Sequence, residues 1–135
     1  MSKEVVIYTD GASRGNPGKA GIGAVIFNSN NEVLREIAEY IGESTNNVAE
    51  YKAVIAGLKA GLSLGAKNVR LKADSQLLIR QIQGVYKVKN AGLKPLYKEV
   101  LDLLSQYDSY QVEHVPREEN SLADKLANDG IDKNN

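Results

Sequence analysis

The chain has 135 residues, 42% of them hydrophobic and 25% charged, the composition of an ordinary globular protein with material for one core. Seventeen basic residues balance seventeen acidic ones, so bulk charge alone cannot hold this chain to nucleic acid. The absence of cysteine excludes disulfides and thiolate metal sites, and no apolar run approaches the ~18 residues of a membrane span. Met1-Ser2-Lys3-Glu4 leads straight into a β-prone run with no apolar leader, so the expected location is cytoplasmic. No repeat, low-complexity tract or linker interrupts the chain. We therefore expect a single domain over residues 1–131, with 132–135 as a frayed tail.

In chain order, residues 4–10 carry Val5, Val6, Ile7, Tyr8 and Thr9 and read as a strand. Alternation puts Val6, Tyr8 and Asp10 on one face, where an ionised Asp10 needs a positive or hydrogen-bonding partner. Capping of the Gly, Ser, Asn and Pro loop that follows, Gly11 to Gly18, is the local alternative for Asp10. A second strand runs from Ala20 to Asn28, its glycines marking either close approach of another backbone or a bulge. After the turn Asn28-Ser29-Asn30-Asn31, a third strand spans Val33 to Ile41, and short connections favour antiparallel pairing of all three.

From Asn47 the period becomes helical through Tyr51, Val54, Ile55, Leu58 and Leu62, and Gly65 ends the run. Asn47 and Glu50 have the spacing of a capping box; alternatively Glu50 points at the end of the first strand. Val69 to Asp74 is a fourth strand ending in an aspartate, and Ser75-Gln76 opens a short helix through Gln83, stopped by Gly84. If the first and fourth strands lie parallel and adjacent, Asp10 and Asp74 emerge at one carboxyl edge, where open α/β sheets place their ligands. Arg80, Lys87, Lys89, Lys94 and Lys98, interleaved with Tyr86 and Tyr97 and free of acids, form either a solvated face or a track for a phosphate backbone. Leu93 to Tyr107 reads as a helix, Gln111 to Val115 as a strand ended by Pro116, and the last helix runs from Asn120 or Ser121 to about Asn128. Asp124, three residues after Ser121, again has a capping role open to it.

Asp10, Glu50, Asp74 and Asp124 thus each sit at a strand end or in an early helical turn. Their joint role would be to hold hard divalent cations, which take carboxylate, water and phosphate oxygens. Two such ions about 4 Å apart activate a water and steady the leaving oxygen of a phosphodiester. A P-loop reading of Gly11 to Gly18 fails because the Lys-Ser/Thr ending is missing.

Four blocks carry a further signal. They are Tyr8-Thr9-Asp10-Gly11-Ala12 with Gly15-Asn16-Pro17-Gly18, Thr45-Asn46-Asn47-Val48-Ala49-Glu50-Tyr51, Ala73-Asp74-Ser75-Gln76, and the run from His114 to Asp124. In order and content they resemble the signature blocks of the type 1 ribonuclease H family, over residues 5–128. The resemblance implies an α/β, ribonuclease H-like fold: a five-stranded mixed sheet, first three strands antiparallel, flanked by helices. It implies hydrolysis of the RNA strand of RNA–DNA hybrids with two Mg2+ ions (Mn2+ as a substitute), giving 5′-phosphate and 3′-hydroxyl ends. We expect a monomer, and the chain shows no sign of an obligate protein partner. Asp10 and Asp74 would bridge both ions, Glu50 would hold one and help fix the RNA 2′-hydroxyl, and Asp124 would complete the shell of the other. Gly11, Ser13, Gly15, Asn16, Asn46, Asn47 and Gln76 match substrate-contacting positions, and Thr45 matches a phosphate contact.

Two departures from the family pattern stand out. The basic protrusion of many members is reduced here to Gly84 to Lys94, and the one histidine, His114, falls in a strand. Arg117 or Glu118 is then the nearest substitute for a proton-carrying loop histidine. Cleavage of duplex RNA as well, or a noncatalytic nucleic-acid-binding module on the same fold, are the competing functions.

Overall fold

The structure, a computed structural model, describes residues 3–133. Five strands form one mixed sheet: β1 (Glu4–Gly15), β2 (Gly18–Asn28), β3 (Val33–Ser44), β4 (Asn68–Ala73) and β5 (Ser109–His114), in spatial order β3-β2-β1-β4-β5. The first three pair antiparallel, while β4 joins β1, and β5 joins β4, in parallel. The helices are α1 (Asn46–Ser63), α2 (Gln76–Ile82), α3 (Lys94–Ser105) and α4 (Ser121–Asp132), with a 3-10 turn at Arg117–Glu119. No helix among the described residues is long and apolar enough to cross a membrane. The expected fold class and strand directions are those observed.

Alternation along the strands divides the molecule into two layers on either side of the sheet. Val5 and Ile7 of β1 and Val69, Leu71 and Ala73 of β4 are buried in the main core with Tyr51, Val54 and Leu58 of α1, Ile79 of α2 and Val100 and Leu104 of α3. On the other face α4 lies across β2 at unusually short range. A Cβ at Gly23 would sit 2.2 Å from the Ala123 carbonyl oxygen and 2.5 Å from the Ala127 nitrogen, and one at Gly21 would sit 2.3 Å from the Ala127 oxygen. The glycines of the second strand therefore serve close backbone approach, and the β2–β3 register also shifts between Ala20 and Gly21, so both readings of them hold.

Several boundaries differ from those expected, each because long-range pairing overrides local composition. Gly11 to Gly15 continues β1 rather than forming a loop, since Gly11, Ala12, Ser13 and Arg14 pair with Ile22, Gly21, Ala20 and Lys19. The turn is thereby confined to Gly15–Gly18, with Gly15 at φ 127 and a cis Asn16–Pro17 bond. β3 extends to Ser44 because Gly42, Glu43 and Ser44 still face β2. The cap of α1 is Thr45, whose Oγ1 accepts from the Val48 amide at 3.3 Å, in place of the expected Asn47 capping box. α4 runs past its expected end near Asn128 through Asp132, because Ile131 is fully buried and Arg14 Nη1 donates to Asp132 Oδ1 at 2.6 Å. Residues 134 and 135 lie outside the described residues.

Because the two nearest atoms facing Gly23 are backbone, the clash of a methyl group there cannot be relieved by a rotamer change. Gly23→Ala is expected to lower unfolding free energy by about 3 kcal/mol in urea denaturation. A variant as stable as the parent would refute the tight α4–β2 contact.

Candidate functional site

The parallel register Thr9↔Ala73 sets the ends of β1 and β4 side by side, so Asp10 and Asp74 emerge at the same edge. α1 enters against this edge from the opposite layer. Gly11 makes that possible: a Cβ there would lie 2.3 Å from the Ala49 carbonyl carbon and 2.4 Å from the Glu50 nitrogen. The Gly11 amide donates to Glu50 Oε1 at 2.9 Å, so the Glu50 side chain turns toward β1 and does not close a capping box. Asp124, in the first turn of α4, comes from the other layer, and α4 begins with no side-chain cap.

Carboxylate oxygens of Asp10, Glu50 and Asp74 all lie within 4.8 Å of one another. With Asp124 they line a cavity of about 540 Å3, together with Gly11, Ala12, Ser13, Asn46, Ser75, Arg117 and Asn128. Asp10 and Glu50 are 7% and 4% exposed. Burial pushes the Asp10 carboxyl far above the ordinary carboxylate range, and Glu50, Asp74 and Asp124 push it the same way. Burial also raises Glu50, opposed by its contacts with Asp10 and the Gly11 amide. Asp74 is raised by burial too, but contacts from Asn120 and the Arg117 guanidinium pull it back. The cluster is therefore strained by like charge and starved of solvent, a state that a cation relieves. The second Glu50 oxygen, Oε2, is buried with no protein partner, and the donors are all oxygen, the set preferred by hard divalent ions.

The other expected site residues divide into groups. Gly11, Ser13 and Asn46 share the cavity of the acids. Asn16, Thr45 and Asn47 line a neighbouring cavity of about 230 Å3 with Val48, Asn90 and Leu93, and Asn16 Oδ1 accepts from the Asn46 amide at 3.1 Å, tying the hairpin turn to the start of α1. Gly15 shapes the hairpin turn, and Gln76 is exposed at the start of α2; neither lines either cavity. His114 is exposed at the end of β5, opposite Ala73, and does not line the acid cavity, whereas Arg117 does. Beyond Asn90 lies a larger groove of about 830 Å3, formed by Val85, Tyr86, Lys87, Val88, Lys94, Tyr97 and Lys98 among others. Asn90, Asn120 and Asn128 were not anticipated. The signal for the last two was present, since positions 120, 124 and 128 repeat at helical spacing around Asp124, and Asn128 Nδ2 donates to the Asp124 carbonyl at 3.0 Å.

A family model described as reverse transcriptase-like matches residues 8–130. A bifunctional protein of Mycobacterium tuberculosis is 47% identical over 130 residues, which cover 96% of this chain and 36% of that protein, so the chain spans about a third of that relative's length. The crystal structure of RNase H1 from the halophilic archaeon Halobacterium salinarum superimposes with a TM-score of 0.94 at 39% identity, covering 96% of this chain and 98% of that one. That of LC11-RNase H1 in complex with an RNA/DNA hybrid gives 0.90 at 43% identity, covering 96% and 98%. Sheet order, the gathered acids and these similarities have one common explanation: the chain belongs to the type 1 ribonuclease H family.

Proposed function

We propose that this chain is an endoribonuclease that hydrolyses the RNA strand of RNA–DNA hybrids, leaving 5′-phosphate and 3′-hydroxyl ends. The observation that carries the reading is the convergence of Asp10, Glu50 and Asp74 within 4.8 Å at one sheet edge, with Asp124 on the same cavity wall. Asp10 and Asp74 would hold two ions jointly, Glu50 would complete one set of ligands and Asp124 the other; Mg2+ is the expected ion and Mn2+ a substitute. When bound, such ions supply positive charge to the phosphate and lower the pKa of water. In this reading residues 1–131 act as one catalytic domain, monomeric and cytoplasmic.

The chain's own groups have separable tasks. The Gly11 amide holds Glu50 with one oxygen engaged and leaves Oε2 for the cavity. Ser13 and Asn46 put short polar groups on the wall, suited to the 2′-hydroxyl that distinguishes RNA from DNA. Thr45, Asn16 and Asn47 offer neutral donors for a phosphate of the second strand, and Lys87, Lys94 and Lys98 continue the track with charge. Arg117, the cation on the acid cavity wall, stands beside Asp74 and is placed to meet the scissile phosphate or its product. The similarity to LC11-RNase H1, which was solved with an RNA/DNA hybrid, supports the same choice of substrate.

Incubation with labelled RNA–DNA hybrid, duplex RNA and duplex DNA, with and without Mg2+, tests the reading. Cleavage of the hybrid's RNA strand only with metal is expected; cutting of duplex RNA at a similar rate would widen the substrate class, and no cutting would leave a binding module. Asp10→Asn should reduce cleavage by roughly a thousandfold or more. In EDTA at neutral pH the same variant should melt higher than the parent, by about 3–5 °C for each kcal/mol of repulsion removed, and Mg2+ should then stabilise the parent more than the variant. Equal melting in EDTA would show that the acids do not repel. Lys87→Ala with Lys94→Ala should raise KM for the hybrid by roughly threefold to tenfold and flatten its salt dependence while kcat holds. An unchanged KM would remove the groove from the substrate path.

A further inference from the structure

Asn120 directly precedes α4, at the position where an asparagine ordinarily folds its side chain back onto the first amides of the helix. It makes no such cap. The side chain enters the protein instead, 1% exposed, and Nδ2 donates to the Thr9 carbonyl at 2.9 Å. Thr9 is the residue before Asp10. The same side chain stands against Asp74. Asn120's own carbonyl accepts from the Asp124 amide at 3.1 Å. One residue thus meets the segments that carry three of the four acids.

A purely local role does not account for this choice. The residue forgoes a helix cap, and its Oδ1 is buried with no protein partner, a cost that an apolar side chain would avoid. What the amide provides is a donor directed across the layers, from the start of α4 to the end of β1. The acids repel one another, and that repulsion would otherwise widen the gap between the two layers.

We propose that Asn120 is a positioning residue for the acid cluster, fixing the places of Asp10, Asp74 and Asp124 relative to one another without itself touching substrate. The inference rests on the hydrolytic reading above. Displacements of about 1 Å at such a site cost rate far more than affinity for a long duplex held at many other points.

The test compares Asn120→Ala and the nearly isosteric Asn120→Asp with the parent in hybrid cleavage at a series of Mg2+ concentrations. For both variants kcat should fall about tenfold or more, with KM for the hybrid within about twofold, and half-maximal activity should need several-fold more Mg2+. Asn120→Asp keeps the size but sets an acceptor against the Thr9 carbonyl and a charge beside Asp74, so it should do no better than alanine. A variant with parental kcat and Mg2+ dependence, lower only in Tm, overturns the proposal. Loss of cooperative unfolding in both variants assigns Asn120 to the fold and overturns it as well. A parent chain that leaves the hybrid intact is a different failure, since it removes the hydrolase reading and this inference with it.

Discussion

Mutual repulsion among buried carboxylates is the constraint around which this molecule is built. Asp10, Glu50 and Asp74 share a space in which burial disfavours ionisation of each, and the neighbouring carboxylates push Asp10 up further. A chain left to its own preferences would separate them. They are held together by contacts that supply no charge: the parallel β1–β4 register, the contact of Gly11 with the first turns of α1, and the seating of α4 on Gly21 and Gly23. The first sets Asp10 and Asp74 at the edge, and the other two bring Glu50 and Asp124 to them. The stability of the core is therefore spent partly on maintaining an unfavourable electrostatic arrangement, as expected where a site is preorganised for cations.

The same logic explains why two layers are needed. β1 and β4 can present Asp10 and Asp74 from within one sheet, but a third and fourth acid must come from outside its plane. α1 supplies Glu50 from the face that holds the main core, and α4 supplies Asp124 from the other face. Two asparagine contacts then tie these layers at their margins, Asn16 to the start of α1 and Asn120 to β1, while Asn128 braces the turn that carries Asp124 within α4.

Much of this was legible in the sequence, and the parts that were not share a cause. Strand and helix types followed from the periods of Val5 to Thr9 and of Tyr51 to Leu62, and the four acids stood out because each ended or opened an element. The strand character of Gly11 to Gly15 was hidden because its glycines favour turns locally, while the pairing that fixes it lies with residues 18–22. Glu50 carried a good local capping signal that its bond to Gly11 supersedes. Asn120 looked like any residue before a helix, and its reach to Thr9 spans 111 positions. Local chemistry exposes which groups are present; which partner each selects depends on contacts that only the folded chain creates.

The parallel pairing of β1 and β4 also bears on how this chain can vary. Side chains alternate with a period of two, so inserting or deleting one residue between Asn68 and Ala73 would rotate Asp74 to the opposite face of the sheet. The segment between α2 and α3 has no such restriction, since it pairs with no strand and its lining side chains are partly solvent-exposed. Length polymorphism should therefore accumulate at the basic groove and be absent from β4. The groove could then vary in length while the geometry of the acid cluster stayed fixed.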